Sequence, residues 1–291
     1  MTNDKIQFSV PNRTNDIGGI FQDGGITRLS TDSERYISVS AKIETDDLDW
    51  AEARRVGLTP DERFVLTYFS DIESQTIRYL RTLLQMKIAF QPAVSAFLTT
   101  WSYEEFFHGH ALARLMAECG HALEENRVEC VGRRARVNEL LEATFGPLLS
   151  RVFSKQFPAV YMSFGAIQEM TTLRGYERLG ESTANPVLKT LCERIAKQER
   201  RHFAWYYNHA RQYLSGSRFT QFLARKLLEF NWVPVGAGVK SHAEVRRLFS
   251  ILFPAEHGNR LLRAVDAKIA MLPGLEGIRL MQSFFGGGSR I

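Results

Sequence analysis

The chain has 291 residues, 44% hydrophobic and 24% charged, a composition typical of one large or two small globular domains. Its 37 basic and 32 acidic residues give a net charge of +5, which suits an acidic partner but is too small to favour nucleic acid. No apolar run approaches ~18 residues, so we expect no membrane-spanning helix. The N-terminal sequence lacks the pattern of a signal peptide. Three cysteines without a Cys-x-x-Cys motif favour a reducing, cytoplasmic environment over a disulfide framework.

Residues 1–40 are rich in Gly, Asn, Asp, Ser and Thr and lack helical periodicity, which predicts an extended or partly disordered N-terminal arm. Helices are predicted from there on. Thr59-Pro60 opens the first helix, to about residue 86, and Pro92 opens the second, to about residue 120. Further helices are predicted at about 123–144, 158–180 and 186–214, the last with Asn185 as its N-cap. Ser241 and Glu244 form a capping box among shorter helices in residues 215–291.

The motif Glu-x-x-His occurs three times, at Glu105/His108, Glu118/His121 and Glu199/His202. Residues three apart lie on one face of a helix, so the Glu and the His of such a pair can reach the same metal ion. Glu118 follows Glu105 by 13 residues on the same predicted helix, about 140° around its axis. We therefore assign the Glu118/His121 pair to the surface and keep the other two pairs.

Each remaining motif has a candidate partner one helical hairpin earlier. Glu73 precedes Glu105 by 32 residues, and Glu169 precedes Glu199 by 30 residues. With loops near residues 90–91 and 182–184, each hairpin brings its two glutamates to a similar depth, roughly 20–25 Å from the turn. The faces that carry these glutamates are otherwise apolar, so all four carboxylates should point into the bundle.

Four carboxylates inside a bundle are costly unless cations balance them. Two divalent cations would neutralise four negative charges, and two neutral imidazoles would complete the ligand set. One Glu from each of two helices plus Glu-x-x-His from each of two others is the di-iron or di-manganese carboxylate pattern. The predicted metal ligands are Glu73, Glu105, His108, Glu169, Glu199 and His202. Oxygen-rich ligands with imidazole suit iron or manganese.

Three segments resemble the soluble acyl-acyl carrier protein desaturases, of the ferritin-like di-iron superfamily. Trp-Ser-Tyr-Glu-Glu-Phe-Phe-His at 101–108 is similar to that family's Trp-Thr-Ala-Glu-Glu-Asn-Arg-His. Ile-Gln-Glu-Met-Thr-Thr at 167–172 is similar to Phe-Gln-Glu-Arg-Ala-Thr, and Gln-Glu-Arg-Arg-His at 198–202 is similar to Asp-Glu-Lys-Arg-His. The resemblance covers about residues 60–212. It implies the same ligands, with Glu73 matched by position only, and a role for Thr172 in proton delivery.

The resemblance implies an all-α, ferritin-like four-helix bundle at 41–214, with a crossover helix near 123–145 and a C-terminal helical extension at 215–291. It implies an O2-dependent non-haem di-iron oxidase that acts on an unactivated C–H bond, most simply in a fatty acyl chain on acyl carrier protein. The expected cofactor is two Fe ions, or Mn, with O2 as co-substrate. An external electron donor such as a ferredoxin would be needed, and a homodimer is compatible with the family.

One departure from the desaturase pattern keeps other functions open. Gln198 stands where the family has an Asp that accepts the N–H of a ligand histidine; an amide oxygen can accept the same bond without charge. Di-iron arylamine N-oxygenases carry an additional His one turn before the last Glu-x-x-His; this chain has Ile195 there, which disfavours N-oxygenation without excluding other substrates. The alternatives are a di-iron N-oxygenase or hydroxylase of a specialised pathway acting on a small molecule, a metal-storing bundle without a substrate, and a bundle that binds no metal.

Overall fold

The computed structural model describes residues 31–133, 153 and 155–286, and the regular elements in this part of the chain are all helices. This confirms the predicted all-α class. The helices are α1 (Thr31–Ser38), α2 (Trp50–Val56), α3 (Pro60–Leu83), α4 (Pro92–Glu118), α5 (Phe157–Ser182), α6 (Pro186–Leu214), α7 (Arg218–Asn231), α8 (His242–Leu252), α9 (Ala255–Ile269) and α10 (Leu280–Gly286). A 3₁₀ turn, Lys87–Phe90, joins α3 to α4.

Two long antiparallel hairpins, α3/α4 and α5/α6, form the centre of the molecule. Their ends follow local sequence signals. Thr59 and Glu62 exchange hydrogen bonds at the start of α3, and Asn185 accepts from two backbone N–H groups at the start of α6. Asn185 also donates to the carbonyls of Ala53 and Gly57, so the same side chain holds α2 against the start of α6. The predicted N-caps, prolines and turns of both hairpins are confirmed.

The remaining helices pack around this centre. α4 contacts α6 across the bundle, while α1 lies against α4, and α2 lies against both α4 and α6. On the other side α7 packs on α5 and α6, and α8 and α9 pack on α5. One continuous hydrophobic core runs through both hairpins and into the C-terminal helices, from Phe97 and Tyr176 to Leu262 and Met281. The C-terminal region therefore shares its core with the bundle.

Several sequence expectations fall at the limits of the described residues. Residues 31–38 were assigned to the extended arm but form α1, because Tyr36 is buried against Phe97; residues 1–30 lie outside the described part. The predicted crossover helix is described only at its start, where residues 127–133 are helical. The division into three domains remains a prediction. Within the described residues, no helix has both the length and the apolar character needed to cross a bilayer.

Candidate metal centre

The six predicted ligands converge in the interior of the bundle. Glu73 comes from α3, Glu105 and His108 from α4, Glu169 from α5, and Glu199 and His202 from α6. All six side chains are buried. Every one of the four central helices therefore contributes, and each presents its predicted ligands on the inward face that the apolar periodicity predicts.

The ligand atoms form two overlapping groups. One group contains Glu73, Glu105, His108 and Glu199, and the other contains Glu105, Glu169, Glu199 and His202. Within each group, one donor atom from every residue lies within 4.8 Å of the others. Glu105 and Glu199 belong to both groups. Each group could hold one metal ion, and the two shared carboxylates could contribute to both sites.

The donor atoms have the spacing and the lack of partners expected of a metal site. His202 Nδ1 lies 3.0 Å from Glu105 Oε1 and 3.4 Å from Glu199 Oε2, and His108 Nδ1 lies 3.2 Å from Glu199 Oε1. Two ligands that are each ~2.1 Å from one ion are about 3–4 Å apart. Although buried, His108 Nδ1, Glu105 Oε1 and Glu199 Oε1 make no hydrogen bond in this arrangement. The residues present therefore fit a bound cation.

Hydrogen bonds outside the cluster determine which nitrogen each histidine offers. Gln198 Nε2 donates to the carbonyl oxygen of Ala41, at 2.8 Å, so its Oε1 faces His108 Nε2, at 2.7 Å. When neutral, His108 must then carry its proton on Nε2, and its Nδ1 lone pair faces the cluster. Similarly, His202 Nε2 lies 2.9 Å from Glu104 Oε2, which leaves His202 Nδ1 facing the carboxylates. Gln198 thus accepts the N–H of His108, a predicted ligand.

Glu104 is a functional neighbour that sequence reasoning missed. It is fully buried and accepts hydrogen bonds from the Tyr36 hydroxyl at 2.9 Å, from Arg201 at 2.6 Å and from the Ala41 backbone N–H at 3.3 Å. A signal for it exists in the sequence, because Glu104 precedes Glu105 just as Gln198 precedes Glu199. The contacts with Tyr36 and Ala41 join residues more than sixty positions apart in the chain, and local patterns do not predict these contacts.

Burial and mutual repulsion raise the pKa values of some carboxylates of the cluster, while the neighbouring histidines lower those of others. Burial raises the pKa of Glu73 well above its usual value, and the charges of Glu105 and Glu199 raise it further. Burial, followed by the charge of Glu199, also raises the pKa of Glu169. Burial lowers the pKa of His108, but the nearby carboxylates of Glu105 and Glu199 outweigh this effect and raise the pKa to about 10. Without a cation, the cluster therefore retains protons at neutral pH.

A close approach of α3 and α4 brings Glu73 into the cluster. A Cβ atom at Gly109 would lie 3.1 Å from Glu73 Cβ and 3.2 Å from Ser74 Oγ, which is tighter than ordinary contact. The Ser70 hydroxyl donates to the Gly109 carbonyl, at 3.3 Å, across the same helix pair. The absence of a side chain at Gly109, directly after His108, lets Glu73 reach the group that contains His108.

Other candidate residues have different surroundings. Glu118 pairs with Arg54 at the surface, outside the cluster, in agreement with its exclusion from the ligand set. Asp71 is also a buried carboxylate of α3, but it is paired with Arg127 and Lys240. Thr172 is partly buried one helical turn after Glu169, and its role in proton delivery remains a prediction.

A cleft of about 320 Å³ between α5 and α6 reaches Tyr176, whose hydroxyl donates to Glu73 Oε1 at 2.6 Å. Its lining includes the charged residues Glu177, Glu181 and Glu193 together with Lys189. An aliphatic chain would gain little from such a lining, because burying it would desolvate these charged groups. We therefore do not assign the substrate path to this cleft.

Comparisons with known proteins agree with this geometry. The model of the fatty acid desaturase family matches residues 76–224, just over half of the chain, and this range contains five of the six clustered residues. No curated protein and no solved structure matches the chain. The matched range extends from the second half of α3 through α6 into α7. The chain belongs to the fatty acid desaturase family.

Proposed function

We propose that the protein is an O2-dependent non-haem di-iron oxidase that introduces a double bond into a fatty acyl chain. The observation that carries the proposal is the pair of overlapping four-residue groups, which share Glu105 and Glu199. Family membership supports desaturation as the reaction. The two antiparallel hairpins that supply the ligands support a ferritin-like bundle.

Two ions fit the cluster better than one. Four carboxylates carry four negative charges, which two divalent cations balance, and each four-residue group offers one position. Carboxylate and imidazole donors suit iron or manganese, whereas zinc would bind without redox chemistry. Bound iron would supply the activation of O2 and the oxidising power needed to remove hydrogen from an unactivated C–H bond.

The chain's own residues hold and orient the ligands. Glu104 and Gln198 fix the rings of His202 and His108 so that both Nδ1 atoms face the carboxylates. The Tyr176 hydroxyl donates to Glu73 and fixes the orientation of that carboxylate. We assign proton delivery to Thr172 because it lies one helical turn from Glu169 on α5.

An acyl carrier protein is the proposed substrate carrier, and a ferredoxin-like protein is the proposed electron donor. The charge distribution supports an acidic partner. Residues 215–291 contain 11 Lys and Arg but 5 Asp and Glu, a net charge of +6, so the remaining residues together carry −1. A surface with this excess of positive charge attracts acidic proteins and speeds their association at low salt.

The decisive experiment is an anaerobic ferrous titration of the apoprotein, followed by O2, an electron donor and acyl-carrier substrates of several chain lengths. We expect two irons per chain, a coupled diferric Mössbauer signal and an unsaturated acyl product. Glu118→Gln, which changes a surface carboxylate of α4, is the matched control and should retain activity. Absence of iron binding, or iron oxidation without any change in the acyl chain, would contradict the proposal.

A di-iron oxygenase acting on a small molecule is the second candidate, and Gln198 favours it. The neutral amide beside His108 departs from the desaturase pattern and would alter the metal's electronic properties. Ile195 is buried in the core at the position where N-oxygenases have an additional histidine. Its presence disfavours N-oxygenation but not the oxidation of other small molecules. Labelled O2 separates the two candidates, because an oxygenase transfers the label to its product and a desaturase releases it as water.

A further inference from the structure

The two histidines of the cluster have unlike outer partners. His202 Nε2 donates to Glu104, a buried carboxylate that also accepts from Arg201 and is therefore ionised. His108 Nε2 donates to Gln198, a neutral amide. The two Glu-x-x-His motifs are otherwise arranged alike, since the residue before each glutamate reaches across to the histidine of the other motif.

The backbone of Ala41 favours this difference between the two histidine partners. The N–H of Ala41 donates to Glu104 Oε1, and the C=O of Ala41 accepts from Gln198 Nε2, at 2.8 Å. A carboxylate at position 198 would place one oxygen against the Ala41 carbonyl oxygen, where no donor exists. An amide at position 104 would turn its NH2 group towards donors of Arg201 and Ala41. The peptide groups of Ala41 thus favour a charged partner for His202 and a neutral partner for His108.

We propose that this arrangement makes the two metal positions unequal, and that the position containing Glu169 and His202 binds its ion more tightly and is filled first. A carboxylate that accepts the outer N–H of an imidazole makes the inner nitrogen a stronger donor to metal, and an amide does so less. The inference rests on the proposed function, because it requires that the cluster holds two ions.

A hydrogen bond to Glu73, at the opposite end of the cluster, also makes the two metal positions unequal. Glu73, which belongs only to the position containing His108, accepts a 2.6 Å hydrogen bond from the Tyr176 hydroxyl. That bond withdraws negative charge from the carboxylate and weakens it as a metal ligand. The position with His108 is therefore weakened at both of its unshared ligands, since Glu105 and Glu199 are common to both positions.

Isotope order tests the inference on the full-length apoprotein. One equivalent of ferrous iron-57 is added anaerobically, followed by one equivalent of iron-56, and a second sample receives the isotopes in reverse order. Mössbauer spectroscopy detects only iron-57. We expect a different quadrupole doublet in each sample, because each order labels one position. Identical spectra for the two orders would overturn the inference while leaving the proposed function intact.

Substitution of Glu104 tests the cause. Glu104→Gln should lower the affinity of the tighter position by ~10- to 100-fold and make the two isotope orders give similar spectra. Glu118→Gln makes the same chemical change on the same helix, away from the cluster, and should preserve the difference between orders. An unchanged difference in folded Glu104→Gln protein would overturn the assignment to Glu104.

Tyr36→Phe keeps the test decisive if Glu104→Gln does not fold. It removes the hydroxyl that donates to Glu104, at 2.9 Å, but retains the ring that packs on Phe97. We expect a smaller loss of affinity, again confined to the position with His202, and circular dichroism shows whether the fold persists. A loss at the position with His108 would overturn the inference. If the wild-type protein binds no ferrous iron at all, both the inference and the proposed function fail.

Discussion

Protons and the proposed metal ions would compete for the same side chains at the centre of this bundle. The pKa values of Glu73 and Glu169 are raised mainly by burial, and that of His108 is raised to about 10 by Glu105 and Glu199. At neutral pH the metal-free cluster is therefore partly protonated. Each of these groups must lose its proton before it can donate a lone pair to a metal ion.

We therefore predict that ferrous iron binding releases protons at neutral pH. Because the raised pKa values favour the protonated groups in the metal-free protein, iron affinity should fall as pH is lowered and rise as pH is raised. Calorimetric titration in two buffers with different heats of ionisation measures the protons released. Equal heats in both buffers would show that the cluster is already deprotonated before iron binds.

A second prediction at the residue scale concerns Gln198→Glu. Its new carboxylate would place an oxygen against the Ala41 carbonyl, so that two buried acceptors face each other without a proton donor between them. We expect a loss of about 1–3 kcal/mol in the free energy of unfolding of the metal-free protein. Urea denaturation of the metal-free variant and of wild type gives the difference.

Gln221→Glu is the matched control for this prediction. Gln221 also donates its amide N–H to a backbone carbonyl, that of Leu214 at 3.0 Å, but it is only partly buried. Water can reach the new carboxylate there, so we expect a smaller loss of stability. Equal losses for the two variants would mean that the buried contact with Ala41 has no special cost.

At the scale of helices, the α3/α4 contact at Gly109 controls whether Glu73 reaches the cluster. Gly109→Ala places a methyl group 3.1 Å from Glu73 Cβ, so Glu73 or the backbone that carries it must shift by a few tenths of an ångström. Overpacking costs about 1–3 kcal/mol, partly offset by the ~1 kcal/mol that alanine gains in a helix. We expect a net loss of stability of about 1 kcal/mol and a clearer loss of iron affinity at the position that contains Glu73.

Isothermal titration with ferrous iron measures the affinity, and thermal unfolding measures the stability. Gly216→Ala is the control, since its new Cβ would meet only the Tyr213 carbonyl oxygen at 3.7 Å, an ordinary contact. It should leave iron binding unchanged. Unaltered iron affinity in Gly109→Ala would show that the helix separation at this point does not position Glu73.

The same helices explain what the sequence could and could not predict. Pro92, Asn185 and the capping box at Ser241 act locally, so the starts of α4, α6 and α8 were predictable. The convergence of Glu73 with His108 followed from hairpin spacing. The helix α1 did not, because its residues lack strong local propensity and are held by distant contacts, above all those of Tyr36 with Phe97 and Glu104.

At the scale of the whole molecule, Glu73 and Glu169, whose pKa values burial raises, oppose folding of the metal-free protein at neutral pH. The described residues around them compensate only part of this cost, through the Tyr176 hydroxyl on Glu73 and the His202 ring beside Glu169. The continuous core that joins both hairpins to the C-terminal helices supplies stability elsewhere. We therefore expect the bundle to be less stable without metal than a bundle with an apolar centre, and to bind metal tightly.

Glu169→Gln separates the effect of the buried carboxylate on metal-free stability from its effect on metal affinity. The pKa of Glu169 is raised by burial and by Glu199. Above pH of about 4.3, the pKa of an unfolded glutamate, the unfolded chain releases this proton while the folded protein retains it, and this difference destabilises the metal-free fold. We therefore expect the metal-free variant to melt at a higher temperature than wild type at neutral pH. The difference should shrink as pH falls below that value, because a protonated carboxyl group and an amide are both uncharged.

With ferrous iron bound, wild type should instead melt at a higher temperature than Glu169→Gln. An ion that binds only the folded state adds about 2.7 kcal/mol per site at a free concentration one hundred times its dissociation constant. Glu169→Gln removes one carboxylate ligand, so iron should raise its melting temperature less than that of wild type. Anaerobic thermal unfolding with and without iron tests both halves of the prediction. If wild type is the more stable protein in both states, the cluster is a structural ion-pair network that contributes to folding without metal.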